Sequence, residues 1–284
     1  VAMNVVAAER SMRMPLIVLA RAGGCLERNR HVPLDLESTP GSRLSEVTIH
    51  ERSPYVTVTM ALGTMYFGTR VDERTSFALL DRFVSAGGTL IDTADNYSFW
   101  SSDSGHGGQS ETVIGRWLAA NPGVRDRVHL STKVGAEPGR TGTWPGNREG
   151  LAAASVREGI KGSLDRLGTD RVDLYWAHME DRSVPLEETV TALGELVDAG
   201  TVARLGVSNH PMWRVERARC IAAARGLAGY TALQLSYSYL QPRPLAPVVG
   251  NDHRFGFATD DSSTRWRPSR EPRVTRWCSA GWPE

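Results

Sequence analysis

The stretch VDLYWAHMEDRSVPLEETVTALGELVDAGTVARLGVSN, residues 172–209, holds a strand, a helix and a second strand in legible form. Val172 to His178 is rich in β-branched and aromatic residues, as a buried strand requires. Pro185 then stands where a first-turn proline would, Val190, Leu193 and Val197 fall on one helical face, and Gly200 stops the helix. Val202 to Ser208 is the next strand. Two strands joined through a helix lie parallel, with a right-handed crossover between them.

Working outward, the same alternation fills residues 57–240. Further strands are expected at Thr57 to Leu62, Thr89 to Thr93, Val128 to Val134 and Thr231 to Ser236, six in all. Asp72 is placed to cap a helix whose Phe77, Leu80 and Val84 share a face and which ends at Gly87-Gly88. Val156, Ile160, Leu164 and Leu167 mark another before Gly168. Repeated βα units leave a doubly wound sheet or a barrel. A doubly wound dinucleotide-binding sheet would carry G-x-G-x-x-G after its first strand, whereas here that strand runs into Gly63-Thr64-Met65-Tyr66-Phe67-Gly68. The only glycine cluster, Gly105 to Gly108, follows no strand. The expected fold is therefore α/β, a TIM (β/α)8-type barrel, with six clear βα units and so incomplete.

The flanks differ in texture. Residues 1–56 lack any sustained period and are expected to be an irregular leader, 57–260 to form the barrel domain, and 261–284 to be irregular. The last segment, rich in Arg, Trp, Pro and Ser, has the texture of translation in a shifted frame. At about 31 residues per unit, eight units need roughly 245, close to typical barrels, so strands seven and eight are expected to be missing. On that expectation the first and sixth strands keep open edges, and this chain binds cofactor poorly.

Composition narrows the function. A formal charge of +1 on 284 residues, 40% of them hydrophobic, gives no field for attracting nucleic acid or an anionic membrane. Neutral small molecules are the expected partners; the oligomeric state is not legible. Cys25, Cys220 and Cys278 are odd in number and far apart, which suggests neither a disulfide framework nor a zinc site. The apolar run Met14 to Ala20, behind Arg10 and Arg13, is far too short to span a membrane and barely long enough for a secretory signal. A cytoplasmic setting is expected.

Polar residues gather at the C-terminal ends of successive strands: Asp92, Lys133, His178, Ser208 with Asn209, and Gln234. Each alone has an ordinary explanation, such as a turn residue, a snorkelling lysine or a helix cap. Together they line the rim on which barrel enzymes build their sites.

These residues and their neighbours resemble the aldo-keto reductases. The resemblance rests on Leu62-Gly63-Thr64-Met65, Asp92-Thr93-Ala94 with Tyr97, Gly108-Gln109-Ser110-Glu111, Ser131-Thr132-Lys133, Asp173-Leu174-Tyr175 leading to His178, Gly206-Val207-Ser208-Asn209, and Gln234 with Tyr237. It covers about residues 60–240 and extends weakly through Phe255 to Asp260.

The resemblance implies reduction of a ketone or aldehyde, with sugars, sugar nucleotides and simple aromatic aldehydes all open as substrates, by hydride from a nicotinamide cofactor, usually NADPH, without a metal. It implies a catalytic tetrad of Asp92, Tyr97, Lys133 and His178. Gly63, Thr64, Asp92, Ser208, Asn209 and Gln234 would be cofactor-binding, the last three side-chain amides and hydroxyl holding the nicotinamide carboxamide. The chemistry is consistent with need, since the developing alkoxide requires a proton donor. Tyr97, with an ordinary pKa of about 10, would be helped by an ammonium about 4 Å away, worth roughly 4 kcal/mol at an effective dielectric of about 20. Asp92 would hold Lys133, and His178 would aim an N–H at the carbonyl oxygen. Met65, Tyr66, Phe67, Phe99, Trp100 and Trp144 either line an aromatic substrate pocket or merely cover the barrel top. Two alternatives stay open: a non-catalytic or truncated relative with impaired cofactor binding, and a barrel enzyme using Lys133 as a Schiff-base nucleophile.

Overall fold

The computed structural model describes the backbone of residues 16–22, 47–48, 56–139 and 143–235, and the side chains of residues 60–139 and 143–235. Tyr237, Phe255 to Asp260 and the whole 261–284 segment lie outside the described residues.

Among the described residues, six parallel strands alternate with five α-helices. In chain order they are β3 (Val56–Gly63), α1 (Glu73–Ser85), β4 (Leu90–Asp92), α2 (Gln109–Ala120), β5 (His129–Val134), α3 (Ala153–Leu167), β6 (Leu174–Ala177), α4 (Leu186–Asp198), β7 (Leu205–Ser208), α5 (Met212–Ala224) and β8 (Tyr230–Gln234). Each strand pairs in parallel with the next one in sequence, so the spatial order never reverses. A doubly wound sheet must reverse at its switch point; steady progression curls into part of a TIM barrel.

Local signals account for the elements. Asp72 Oδ1 accepts from Thr75 N at 2.7 Å, capping α1. Gly168, at φ 64°, supplies the left-handed residue that closes α3. Pro185 takes the cap position of α4 rather than its first turn, and its carbonyl receives Glu188 N and Thr189 N. Leu80, Ile114, Val156, Ile160, Leu167, Val190 and Leu193 are buried between helices and sheet. Five of the six observed strands are shorter than the β-rich runs that announced them, and the first, Val56–Gly63, is longer.

Short stretches of the segment before the first barrel strand fall within the described residues. Two strands occur there, β1 (Leu16–Ala22) and β2 (Val47–Thr48), both antiparallel to β3. β1 runs in register from Leu16 opposite Leu62 to Ala22 opposite Val56. The physical reason is mutual: an apolar Leu-Ile-Val-Leu run favours extended backbone, and the outer edge of β3 offers unpaired N–H and C=O groups. The edge expected to stay open on the first barrel strand is thus paired.

One close approach sets the inner face. A Cβ on Gly206 would lie 2.2 Å from Cε3 of Trp176, whose ring lies across β7. Gly206→Ala is expected to destabilise the fold by about 1–3 kcal/mol through overpacking. Urea unfolding measures this directly, and an unchanged midpoint would mean that the Trp176 ring shifts at no cost.

Candidate active site

Strand alternation decides which side chains meet. On β5, Ser131 and Lys133 are two residues apart and share the inner face, while Thr132 between them points outward, where its hydroxyl reaches Glu111 Oε1 at 2.5 Å. Lys133 pairs in register with Trp176, and Asp92 with Ser131, which brings all four onto one inner surface.

Lys133 is at the centre. Its Nζ donates to Asp92 Oδ2 at 2.6 Å, to the Thr93 carbonyl at 2.7 Å and to the Tyr97 hydroxyl oxygen at 2.8 Å. Both members of the Lys133–Asp92 ion pair are fully buried. An ammonium has three protons, and all three are spent here. The other carboxylate oxygen of Asp92 accepts from Ser131 Oγ at 2.7 Å, and Ser131 Oγ in turn accepts from Trp176 Nε1 at 2.5 Å. Neither Ser131 nor Trp176 was given a role from sequence. The signal was present in the period of two, since each lies on the inner face with a tetrad residue.

Tyr97 reaches this centre by a turn. Its N–H returns to the Ala94 carbonyl at 3.3 Å, and the next residue, Ser98, is left-handed at φ 69°. Ser98 is pinned by donating from Oγ to the Met65 carbonyl at 2.5 Å and accepting from Thr69 Oγ1 at 2.8 Å. His178, just past β6, is half-buried, and its ring stands edge-on to Tyr97 with centroids 6.0 Å apart. The four residues expected to form a tetrad are therefore gathered.

Burial pushes the Tyr97 phenol well above its ordinary value, and the negative charge of Asp92 pushes it further. Burial pulls Lys133 below the usual lysine value, opposed by Asp92. The Lys133 ammonium opposes the rise at Tyr97 without cancelling it in the resting site. Tyr97 stays protonated, and the Lys133 hydrogen bond acts on the negative charge that would develop as the proton leaves.

The other expected residues divide. Ser208 and Gln234 are opposite one another at the ends of β7 and β8. Asn209, at φ 54°, donates from Nδ2 to the His178 carbonyl at 2.9 Å and to Ser208 Oγ at 3.0 Å. Gln234 Nε2 lies 3.4 Å from Asp92 Oδ2. Helix α5 starts after Pro211 with no side-chain cap, so Ser208 and Asn209 are not capping residues. His210 beside them is fully buried and held down to about 4, mainly by burial; as a neutral ring it contacts the Ser208 carbonyl from Nδ1 at 2.6 Å.

Gly63 ends β3, and Thr64 is tied inward. The Thr64 hydroxyl lies 2.9 Å from the Asp92 carbonyl and 2.8 Å from Ser110 Oγ, with its side chain buried. Of the rim aromatics, Phe67 is fully buried in the hydrophobic core, which removes it from any pocket wall. Tyr66, Trp100, Phe99 and Trp144 form a chain of ring contacts at centroid separations of 6.3, 5.0 and 5.4 Å. Among the described residues no cluster of His, Cys, Asp and Glu is arranged to hold a metal, and no helix is long and apolar enough to cross a membrane.

The family model described as "Aldo/keto reductase family" matches residues 59–256, which include every residue of the candidate site. This chain belongs to that family. Relatives within the aldo/keto reductases include the uncharacterized oxidoreductase YrpG of Bacillus subtilis, 35% identical over 182 residues, which make up 64% of this chain and 55% of the relative. Norsolorinic acid reductase stcV of Emericella nidulans is 39% identical over 184 residues, 62% of this chain and 45% of that one. Human aflatoxin B1 aldehyde reductase member 4 is 39% identical over 178 residues, 62% and 48% respectively. The chain spans about half the length of the curated relatives it matches.

Proposed function

We propose that this aldo/keto reductase reduces a ketone or aldehyde to an alcohol, with Tyr97 as proton donor, His178 orienting the carbonyl oxygen, Lys133 stabilising the phenolate as it forms, and Asp92 fixing Lys133. The observation that carries the reading is the Lys133 ammonium held 2.8 Å from the Tyr97 oxygen with no water-exposed surface of its own. In such a site a fixed charge acts at low dielectric and needs no reorganisation during reaction.

A reduced nicotinamide, when bound, supplies the hydride. The residues present fit its carboxamide: Ser208, Asn209 and Gln234 bring hydroxyl and amide groups to one rim, all within or against the hydrogen-bond network of Asp92 and His178. Asn209 spends its amide N–H groups locally, so its carbonyl oxygen is the group to accept from a carboxamide N–H. Gly63 and Thr64 complete the rim through backbone, since the Thr64 side chain is turned into the scaffold. NADPH is the cofactor we assign.

For the substrate we assign an aromatic carbonyl compound. Support comes from the ring chain of Tyr66, Trp100, Phe99 and Trp144 at the same rim, and from relatives whose names specify norsolorinic acid and aflatoxin B1 aldehyde.

The Schiff-base alternative is disfavoured by the three hydrogen bonds of Nζ, because a nucleophilic lysine must present a lone pair. Aldehyde-dependent loss of NADPH absorbance is expected, and substrate trapped on Lys133 by borohydride would overturn the assignment. Asn209→Ala and Gln234→Ala are each expected to weaken cofactor binding by about 0.5–1.5 kcal/mol, the net worth of a neutral hydrogen bond. Titration by tryptophan fluorescence quenching measures it; unchanged affinity in both variants would restrict the two residues to packing.

A further inference from the structure

Asp95 lies on the turn between β4 and Tyr97 and has no place in the chemistry above. It is 4% exposed, and both of its carboxylate oxygens lack any hydrogen-bond donor. The turn around it is nevertheless firmly held: Asp95 N lies 3.3 Å from the Lys133 carbonyl, and Gly107 passes so close that a Cβ there would sit 2.2 Å from the Asp95 carbonyl oxygen.

The groups facing Asp95 come from every element packed around it. Glu149 and Glu137 come from the loop after β5, Glu111 from α2, Arg166 from α3, Lys133 from β5, Tyr175 from β6 and Tyr97 from its own turn. The cations are engaged elsewhere. Arg166 Nε is 2.7 Å from Glu111 Oε2, and the three protons of Lys133 go to Asp92, Thr93 and Tyr97. Among the carboxylates acting on Asp95, Glu149 acts most strongly, and it is itself anchored, its Oε1 accepting from Gly135 N at 2.6 Å and facing Glu137 N at 3.4 Å.

A buried carboxylate with no donor is costly, and two facing carboxylates more so. One proton resolves both problems, because a protonated carboxyl becomes a donor. We propose that Asp95 is a neutral carboxylic acid donating its O–H to the Glu149 carboxylate, and that this bond is a positioning contact holding the Tyr97 turn against the loop after β5. Its neutrality also keeps a second negative charge away from Lys133. Burial, with Glu149, Glu111 and Glu137 nearby, holds the Asp95 carboxyl well above the ordinary carboxylate range, in keeping with this.

The sign of the pH effect follows. A carboxyl raised on folding takes up a proton as the chain folds, so its contribution to stability is full below the unfolded value and is lost as pH rises towards the folded one. Asp95→Asn keeps a donor to Glu149 and has no proton to lose. Its urea midpoint, relative to the unsubstituted chain, is expected to rise with pH from the acid range through neutrality. Infrared difference spectra of the unsubstituted 284-residue chain at neutral pH should contain a protonated-carboxyl C=O band that vanishes in Asp95→Asn. Both readouts are independent of catalysis, so they stand or fall apart from the reductase reading on which the positioning role rests. For that role, Asp95→Ala should lower kcat about tenfold with little change in KM, and Asn should recover most of the loss. Absence of the band, or a midpoint difference that is the same at every pH, overturns the protonated pair. An Asp95→Asn variant as slow as Asp95→Ala overturns the positioning role.

Discussion

Tyr97→Phe lowers carbonyl reduction at least about a hundredfold, the scale of general acid catalysis, while cofactor affinity hardly changes. The reason is specific to this geometry. Removing one oxygen deletes the hydroxyl that receives Lys133 Nζ, at 2.8 Å, and leaves the ring, its edge contact with His178 and the pinned Ser98 turn in place. Nothing that would touch the carboxamide is altered. Steady-state NADPH oxidation and fluorescence titration together separate the two effects. Near-normal turnover by the Phe variant would sink the assignment of Tyr97 as the acid.

Lys133→Met is expected to produce the largest loss of stability, about 3–5 kcal/mol, because it strands the fully buried Asp92 carboxylate without its cation. Asp92 would keep Ser131 Oγ at 2.7 Å but lose the cation at 2.6 Å, and the Thr93 carbonyl would lose its donor. Activity should vanish with it. The double variant Lys133→Met with Asp92→Leu separates the two losses. It should recover much of the stability, since a buried ion pair is often no better than apolar packing of similar volume, and recover none of the activity. A single Lys133→Met variant with an unchanged urea midpoint would overturn this expectation.

The order of the helices and strands was legible from the residues because their causes are local. Pro185, Gly200 and the Val190, Leu193, Val197 stripe announce α4, and Asp72 announces α1, within a few residues of the effect. That order, with no glycine fingerprint after β3, was enough to choose a barrel, and the placement of Asp92, Lys133, His178, Asn209 and Gln234 at strand ends was enough to locate the rim. Tertiary structure alone decided the rest. Whether Phe67 faces a pocket or the core, whether Trp176 joins Ser131, whether β1 covers the edge of β3, and whether Asp95 finds a donor all depend on strand register and on which face a turn presents. The hydrogen bonds that join Lys133 to Tyr97 and Ser131 to Trp176 span 36 and 45 positions, beyond the reach of any helical or strand period. A one-residue slip in register would move every one of them to the opposite face, and the energy that prevents the slip is the packing of the whole sheet against its helices.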